Sequence, residues 1–315
     1  MSLLAVGTVA FDTIETPFGR AERILGGSAT YITLAARFLT DDVRLNAVVG
    51  RDFPDSYVEL LRDRGINLDG LVHDTTGDSF FWSGRYHYDL NQRDTLATHL
   101  NVLATFEPDL PASYRDSRIV CLGNLDPTVQ MQVLDQVENP DLVVLDTMNY
   151  WIENTPDALQ EVLRRVDVLA INDAEARELS GEPNLVKAAK AVRALGPKTL
   201  VIKKGEHGAL LFTGDTVFSA PAYPLEDIQD PTGAGDTFLG GFAGYLARTS
   251  EIDAEAFKRA VVLGSALASF VVEAFGTERL LSLTPEQVDD RVTAFHRLSA
   301  IPEGLLLAGG AVQST

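Results

Sequence analysis

Cysteine is almost absent from this 315-residue chain: Cys121 stands alone, so no intrachain disulfide can form, which fits a reducing compartment. Its setting, Ile119-Val120-Cys121-Leu122, reads as a buried strand and not as a nucleophile. Lysine is scarce as well, confined to Lys187, Lys190, Lys198, Lys203, Lys204 and Lys258 in a chain of net charge −19. A surface that negative repels phosphate backbones and anionic lipid, which speaks against nucleic acid and membrane partners. A locally bound nucleotide is compatible with it, because backbone N–H groups hold phosphate even on an acidic protein. The composition suits either a salt-adapted host or an ordinary acidic cytosolic protein. No apolar run approaches the ~20 residues that span a bilayer. The first residues, Met1-Ser2-Leu3-Leu4-Ala5-Val6-Gly7, lack the basic region of a signal peptide, so the expected location is the cytoplasm. Also missing are the P-loop Gly-x-x-x-x-Gly-Lys-[Ser/Thr] and the dinucleotide fingerprint Gly-x-Gly-x-x-Gly. The same holds for the Gly-x-Ser-x-Gly elbow and the His-Glu-x-x-His zinc motif.

What is present is an ordinary globular balance, 45% apolar and 23% charged, long enough for one large α/β domain or two ordinary ones. Short apolar runs at 3–7, 45–50, 119–123, 142–146, 168–172 and 199–203 each end in Gly, Asn, Asp or Lys. Runs of this length suit strands buried on both faces. Amphipathic segments at 29–39, 54–64, 156–166 and 185–195 lie between them. The alternation predicts right-handed βαβ units and a doubly wound, mainly parallel sheet, the α/β class. Two stretches break it: 11–25 is turn-rich, and 78–90 carries Phe80, Phe81, Trp82, Tyr86 and Tyr88. Both read as strands of a small β-lid, inserted at about 12–25 and 73–100 in a single domain over 1–315. Helices are expected at 237–247, 254–274 and 285–298, and a loosely held Gly/Ala-rich tail at 304–315.

The segment richest in chemistry is Asp230-Pro231-Thr232-Gly233-Ala234-Gly235-Asp236, followed by Gly240-Gly241. Small residues at Gly233, Ala234 and Gly235 let a ligand approach the backbone. The apolar period resumes at Phe238 and Phe242, which puts the glycines at a helix N-terminus, where free N–H groups and the macrodipole favour phosphate. In phosphoryl transfer those donors stabilise charge on the transferring oxygens. Asp236 beside them is placed to take a proton from an attacking hydroxyl. The bland alternative is a capped helix whose small residues serve tight packing.

The segment resembles the C-terminal signature of the ribokinase-like (PfkB) family of carbohydrate and nucleoside kinases. An early Gly-Gly pair, an Asn-x-x-Glu, a Gly-x-x-Gly turn and this signature follow in the family's order over essentially the whole chain. The resemblance implies a three-layer α/β/α core with a β-lid, ATP as donor and Mg²⁺. It makes Asp236 the catalytic base and the Gly233, Ala234 and Gly235 backbone the anion hole. It also implies a K⁺ ion beside Asp230 and Thr232.

The same resemblance gives roles to other positions. Gly26-Gly27 becomes the hinge and acceptor-binding motif, where the plain reading is a turn with a Ser28 helix cap. The family often carries Asn a few residues on, and Tyr31 stands there, larger and aromatic. Asp12, after the first strand, takes the place of an acceptor-binding Asp; its carboxylate could accept from two adjacent hydroxyls. Apart from the resemblance, Asn124 reads as a further acceptor contact from its place just past a strand end. Asn172 and Glu175 read either as a helix cap or, by family, as groups near the phosphates and Mg²⁺, reached through water. Lys203, Gly205 and Gly208 line the nucleotide, with Lys203 in place of the family's Thr. His207 reads as an exposed loop residue.

These readings predict an ATP-dependent kinase for a small sugar or polyol. A nucleoside kinase of the same fold is the alternative, favoured by Tyr31 and the lid aromatics. A non-catalytic sugar- or nucleotide-binding regulator is the rival from another class. A homodimer through the lid is expected from its exposed edges.

Overall fold

A computed structural model describes residues 1–300; the tail expected at 304–315 lies outside the described residues. The chain opens on β1 (Ser2–Val6), then sends β2 (Ala10–Thr16) and β3 (Gly19–Gly26) away before returning with β4 (Asp42–Gly50) and β5 (Ile66–Asp74). A second excursion supplies β6 (Phe81–Tyr86) and β7 (Arg93–His99). The remaining strands are β8 (Ile119–Leu122), β9 (Leu142–Leu145), β10 (Val168–Asn172), β11 (Thr199–Lys203), β12 (Ala209–Thr213) and β13 (Thr216–Ala220).

Nine strands form one sheet in the order β13-β12-β11-β10-β9-β8-β1-β4-β5. Neighbours from β5 to β11 run parallel, and β12 and β13 close one edge as an antiparallel hairpin. The apolar runs explain this centre. In β1, Leu3 and Ala5 enter one core while Leu4 and Val6 enter the other, so both faces need a helical layer. Helices Ser28–Ala36, Ala234–Arg248 and Ala254–Val271 cover the first face; Pro127–Leu134, Pro156–Leu163 and Leu185–Arg193 cover the second. The expected doubly wound α/β fold is the one observed.

Small residues in the signature also serve packing. A Cβ at Gly240 would fall 2.3 Å from the Ile32 carbonyl oxygen, and one at Gly241 2.9 Å from the Gly264 Cα. The helix that starts at the signature therefore lies directly against the helix that carries Tyr31, which fixes these two parts of the site to each other.

The other four strands form the lid, in the order β3-β2-β6-β7. Its boundaries differ from the expectation of 73–100. His73 and Asp74 end β5 in the large sheet, and the lid strands of this segment are β6 and β7. The strand expected over 78–90 stops at Tyr86 because Asp89 and Asn91 make a turn: the Asn91 amide donates to Asp89 Oδ1 at 3.1 Å, and the Gln92 amide to the Asp89 carbonyl at 2.8 Å. Among the described residues no helix is long and apolar enough to cross a membrane.

Candidate active site

The carboxyl ends of the parallel strands meet the lid at one edge, where ligands bind in open α/β sheets. Asn172 and Lys203 end β10 and β11, and Asn124 and Asp146 follow β8 and β9 within two residues. The helix Ala234–Arg248 points its N-terminus at the same edge.

That N-terminus is built by the sequence itself. Gly233 adopts φ 76°, the left-handed region open to glycine, and no side chain caps the helix. The Tyr31 ring lies against Gly233, since a Cβ there would fall 2.4–2.5 Å from three ring carbons. Asp236 sits in the first helical turn, partly exposed to solvent. Desolvation in the cleft, followed by the charge of Asp146, pushes its carboxyl up to about 7, against the opposing pull of Lys203 and Arg93. Asp230 is fully buried and ties the turn down: its Oδ1 accepts from the Thr232 amide at 2.8 Å and its Oδ2 from the Gly276 amide at 2.9 Å.

The lid and the Gly26-Gly27 turn form the facing wall. Asp12 on β2 is buried, and burial, then the charge of Asp230, raises its carboxyl to about 7. Gly26 is required beside it, because a Cβ there would fall 1.9 Å from Asp12 Oδ2. The turn into the next helix is not capped by Ser28, as the plain reading had it. Instead the Ser28 amide donates to Thr8 Oγ1 at 2.9 Å and the Thr8 amide to Ser28 Oγ at 3.0 Å. Tyr31 is fully buried, and its hydroxyl has no hydrogen-bond partner among the described residues. Burial, then the charges of Asp12, Asp230 and Asp236, hold its phenol well above the usual range. From the lid, Tyr86 meets this wall: its hydroxyl accepts from Thr232 Oγ1 at 3.2 Å.

A second group of charges stands on the sheet side. The Lys203 ammonium lies 3.2 and 3.3 Å from the two oxygens of buried Asp146. Glu175 is buried, and burial followed by the Asp146 charge raises its carboxyl to about 7. Of the two readings of Asn172 and Glu175, the helix cap is the one seen here. They form a capping box, the Glu175 amide donating to Asn172 Oδ1 and the Asn172 amide to Glu175 Oε2, each at 2.8 Å. Glu175 Oε1 is not used by the box. Gly205 and Gly208, at φ 52° and 80°, shape the turn after Lys203, and Asn91 of the lid packs on Gly205.

The fold thus brings Asp12, Tyr31, Asp230 and Asp236 to one cleft, with Lys203, Asn172 and Glu175 on its sheet side. Asn124 is turned to another use: its Oδ1 accepts from the Trp151 indole at 2.8 Å, and its amide faces the Met148 sulfur at 3.0 Å. His207 is an exposed loop residue. Sequence reasoning missed Asp146. The available signal was its place as the last residue of the run 142–146, at the same sheet edge as Asn172 and Lys203.

A parallel sheet with a lid, an open helix N-terminus and a carboxylate in its first turn defines a phosphotransferase of the ribokinase-like class. Comparison with known proteins agrees. The chain belongs to the pfkB family of carbohydrate kinases, whose model matches residues 5–283. It is 30% identical to the cytidine kinase of Thermococcus kodakarensis over 78% of this chain and 88% of that one. It is 26% identical to the nucleoside kinase of Methanothermobacter thermautotrophicus, covering 91% and 94%. Among solved structures, the nucleoside kinase of Burkholderia thailandensis in complex with ADP-inosine superposes with a TM-score of 0.77 at 20% identity, covering 93% and 95%. A putative ribokinase II from E. coli in complex with ATP and Mg²⁺ also gives 0.77, at 18% identity, covering 93% and 99%. The chain is therefore a kinase of the sugar and nucleoside type.

Proposed function

We propose that this kinase transfers the γ-phosphoryl group of ATP to a hydroxyl of a nucleoside, ahead of the free sugar or polyol that the sequence favoured first. Asp236 in the first turn of the uncapped helix, sharing a cleft with Asp12, carries the reading. Asp12 is the group that receives the acceptor's hydroxyls, and Asp236 takes the proton from the one that attacks. The Gly233 and Gly235 amides face the phosphoryl oxygens, while the Ala234 amide, which donates to the Pro231 carbonyl at 3.2 Å in the free protein, joins them only by giving up that bond. Asn172, Gly205 and Gly208 border the nucleotide.

The preference for a nucleoside rests on the lid and on the relatives. Trp82 pairs in register with Asp12 across β2 and β6, so the two side chains share a lid face. The Trp82 ring lies over Gly84, where a Cβ would fall 2.2 Å from it, and the Arg93 guanidinium stands 6.0 Å from the ring centroid. An indole beside the hydroxyl-binding carboxylate offers a platform on which a base can stack. The curated relatives named above include a cytidine kinase and a nucleoside kinase.

Among the described residues no group of three or more His, Cys, Asp or Glu side chains could hold a metal ion. One buried carboxylate with a free oxygen, Glu175, fits Mg²⁺, which keeps most of its water and binds chiefly through substrate phosphates. When bound, the ion neutralises charge on the phosphates, and Glu175 would hold it through water. A K⁺ ion beside Asp230 and Thr232 belongs to the same proposal, and comparing turnover in K⁺ and Na⁺ tests it. So does a lid-mediated homodimer, whose edge strand β7 is almost wholly exposed, with Leu96 on it; sedimentation of the wild type and Leu96→Lys tests that.

ATP consumption across cytidine, inosine, ribose and inositols is the test of the acceptor class. The expected result is faster turnover of at least one nucleoside than of any free sugar; ribose outpacing both nucleosides would return the acceptor to the sugar class. Tyr31→Phe gives a second expected outcome, with two opposite signs. Removing a buried hydroxyl without a partner should stabilise the free protein by about 1 kcal/mol. The same change should raise the KM for the acceptor several-fold while the KM for ATP stays put, because the hydroxyl is there to bond the acceptor. Thermal melts and initial rates check the two.

A further inference from the structure

Lys203 ends β11, yet its ammonium is drawn towards the signature helix. It lies 3.2 and 3.3 Å from the Asp146 oxygens, and a Cβ at Gly235 would fall 3.2 Å from its Nζ. The amine therefore stands between a buried carboxylate and the first turn of the helix, beside the amides that face the phosphoryl group. Both partners are largely removed from water, their side chains 16% and 9% exposed. A buried pair of this kind is weak evidence for stability, since desolvation cancels most of the attraction. The surroundings give it a different meaning. Lys203 is faced by Asp146, Glu175 and Asp236, and the lid adds only Arg93 to the positive side. Burial alone would lower the Lys203 pKa, but the three carboxylates hold it above its ordinary value, so the amine stays charged. A phosphoryl group entering so negative a cleft needs a cation beside the helix amides, and Lys203 is the one already next to them.

We propose that Lys203 is a catalytic residue that shifts from Asp146 to an oxygen of the phosphoryl group in transfer, with Asp146 as its resting counter-ion. The inference rests on the reading of Asp236 and the Gly233–Gly235 backbone as the transfer site. In the step, the acceptor oxygen bonds to the terminal phosphorus and gives its proton to the Asp236 carboxylate. The bond from that phosphorus to the bridging oxygen breaks, and its electron pair leaves with ADP. Lys203 keeps all three protons and supplies charge and a hydrogen bond where negative charge is shared among the phosphoryl oxygens. Asp146, a positioning residue, keeps the flexible side chain within reach of Gly235 between turnovers.

The test is a double-mutant cycle, read by turnover and by thermal melting, with ATP and cytidine, inosine or ribose, whichever the wild type uses fastest. Lys203→Met should lower kcat about 100-fold with less than about a threefold change in the KM for ATP, the mark of an interaction made in the transition state. Lys203→Arg should recover part of the loss. Asp146→Asn, which keeps the amine, should stay within about tenfold of wild-type kcat. The double variant, with neither charge left unpaired, should regain the melting temperature lost in Lys203→Met but none of the turnover. Binding of ADP, Mg²⁺ and aluminium fluoride gives an acceptor-independent readout: the fluoride should tighten ADP binding in the wild type and not in Lys203→Met. A double variant that regains both stability and turnover would make the pair structural and overturn the proposal. So would Lys203→Met with near-normal kcat, or fluoride tightening that survives the substitution. Asp236→Asn run alongside separates the two readings: if it is inactive while Lys203→Met is active, the lysine proposal alone fails. If it is active while Lys203→Met is inactive, the base assignment fails and the lysine stands.

Discussion

Asp236→Asn is expected to leave the protein folded and able to bind ATP, and to lower kcat by two to four orders of magnitude, the range for loss of a general base. Asparagine keeps the size of the side chain but cannot accept the acceptor's proton. The nucleotide contacts assigned to Asn172, Gly205 and Gly208 are untouched, so the Kd for ATP should change little. Stability should move the other way, and its sign follows from the carboxyl's position. The folded protein holds Asp236 near 7, above its ordinary 3.8 in the unfolded chain, through desolvation and the Asp146 charge. A carboxyl raised on folding contributes stability that is full below its unfolded pKa and is lost as pH rises through its folded one. Asp236→Asn removes that loss. The variant should therefore melt above the wild type at pH 8, with the gap closing towards pH 4. Activity has the opposite slope: the base works only when ionised, so wild-type kcat/KM should climb with pH through about 7. Asp12 and Glu175, also raised to about 7, titrate over the same span, so the rise belongs to the cluster as a whole.

Gly233→Ala should be nearly as damaging to turnover and should also cost stability. The residue's φ of 76° is one that alanine adopts only with strain, of order 1 kcal/mol. The added methyl would also lie 2.4–2.5 Å from three carbons of the Tyr31 ring, far inside contact distance. Tyr31 cannot retreat easily: it is fully buried, and its helix is locked to the signature helix through Gly240 and Ile32. Overpacking of this kind typically costs about 1–3 kcal/mol, and here the strain falls on the turn that presents the helix amides. We expect kcat to fall at least 100-fold, since small displacements of a preorganised donor set are amplified in rate. Melting curves and initial rates check this. Gly214, also at positive φ, has nothing within 4 Å of its Cβ position and serves as the control: Gly214→Ala should cost stability without touching turnover.

The parts of this fold that could be read from the sequence are those where physics is local. Strands β1, β8, β9, β10 and β11 are continuous apolar runs because both faces are covered, and that pattern needs no knowledge of neighbours. Strand β5 was missed because it is the edge strand, and Ile66-Asn67-Leu68-Asp69-Gly70-Leu71-Val72-His73-Asp74 mixes polar residues into a half-exposed surface. The helix cap at Asn172 was legible in the sequence, and the reciprocal bond from Glu175 that makes it a capping box closes within the same three residues. Asp236 was legible for the same reason: the glycines, the helix start and the acid are contiguous. Lys203 was legible as a nucleotide-lining residue that departs from the family pattern, but not as half of an ion pair. Its partner Asp146 lies 57 residues earlier and carries no motif of its own, so the ion pair had to wait for the sheet to bring β9 and β11 to one edge. Tyr31 against Gly233 is a contact of the same long-range kind. The sequence flagged an aromatic ring where a small polar residue was expected, and the fold supplied what the ring covers.

The most direct measurement of the central claim is a single turnover with ATP labelled at the γ-phosphate, enzyme in excess, and the best acceptor of the panel saturating. The expected result is rapid appearance of label on the acceptor with the wild type. With Asp236→Asn, bound ATP should persist unchanged, label reaching the acceptor at least 100-fold more slowly. Label reaching the acceptor at comparable rates in both proteins would contradict Asp236 as the base at this helix N-terminus.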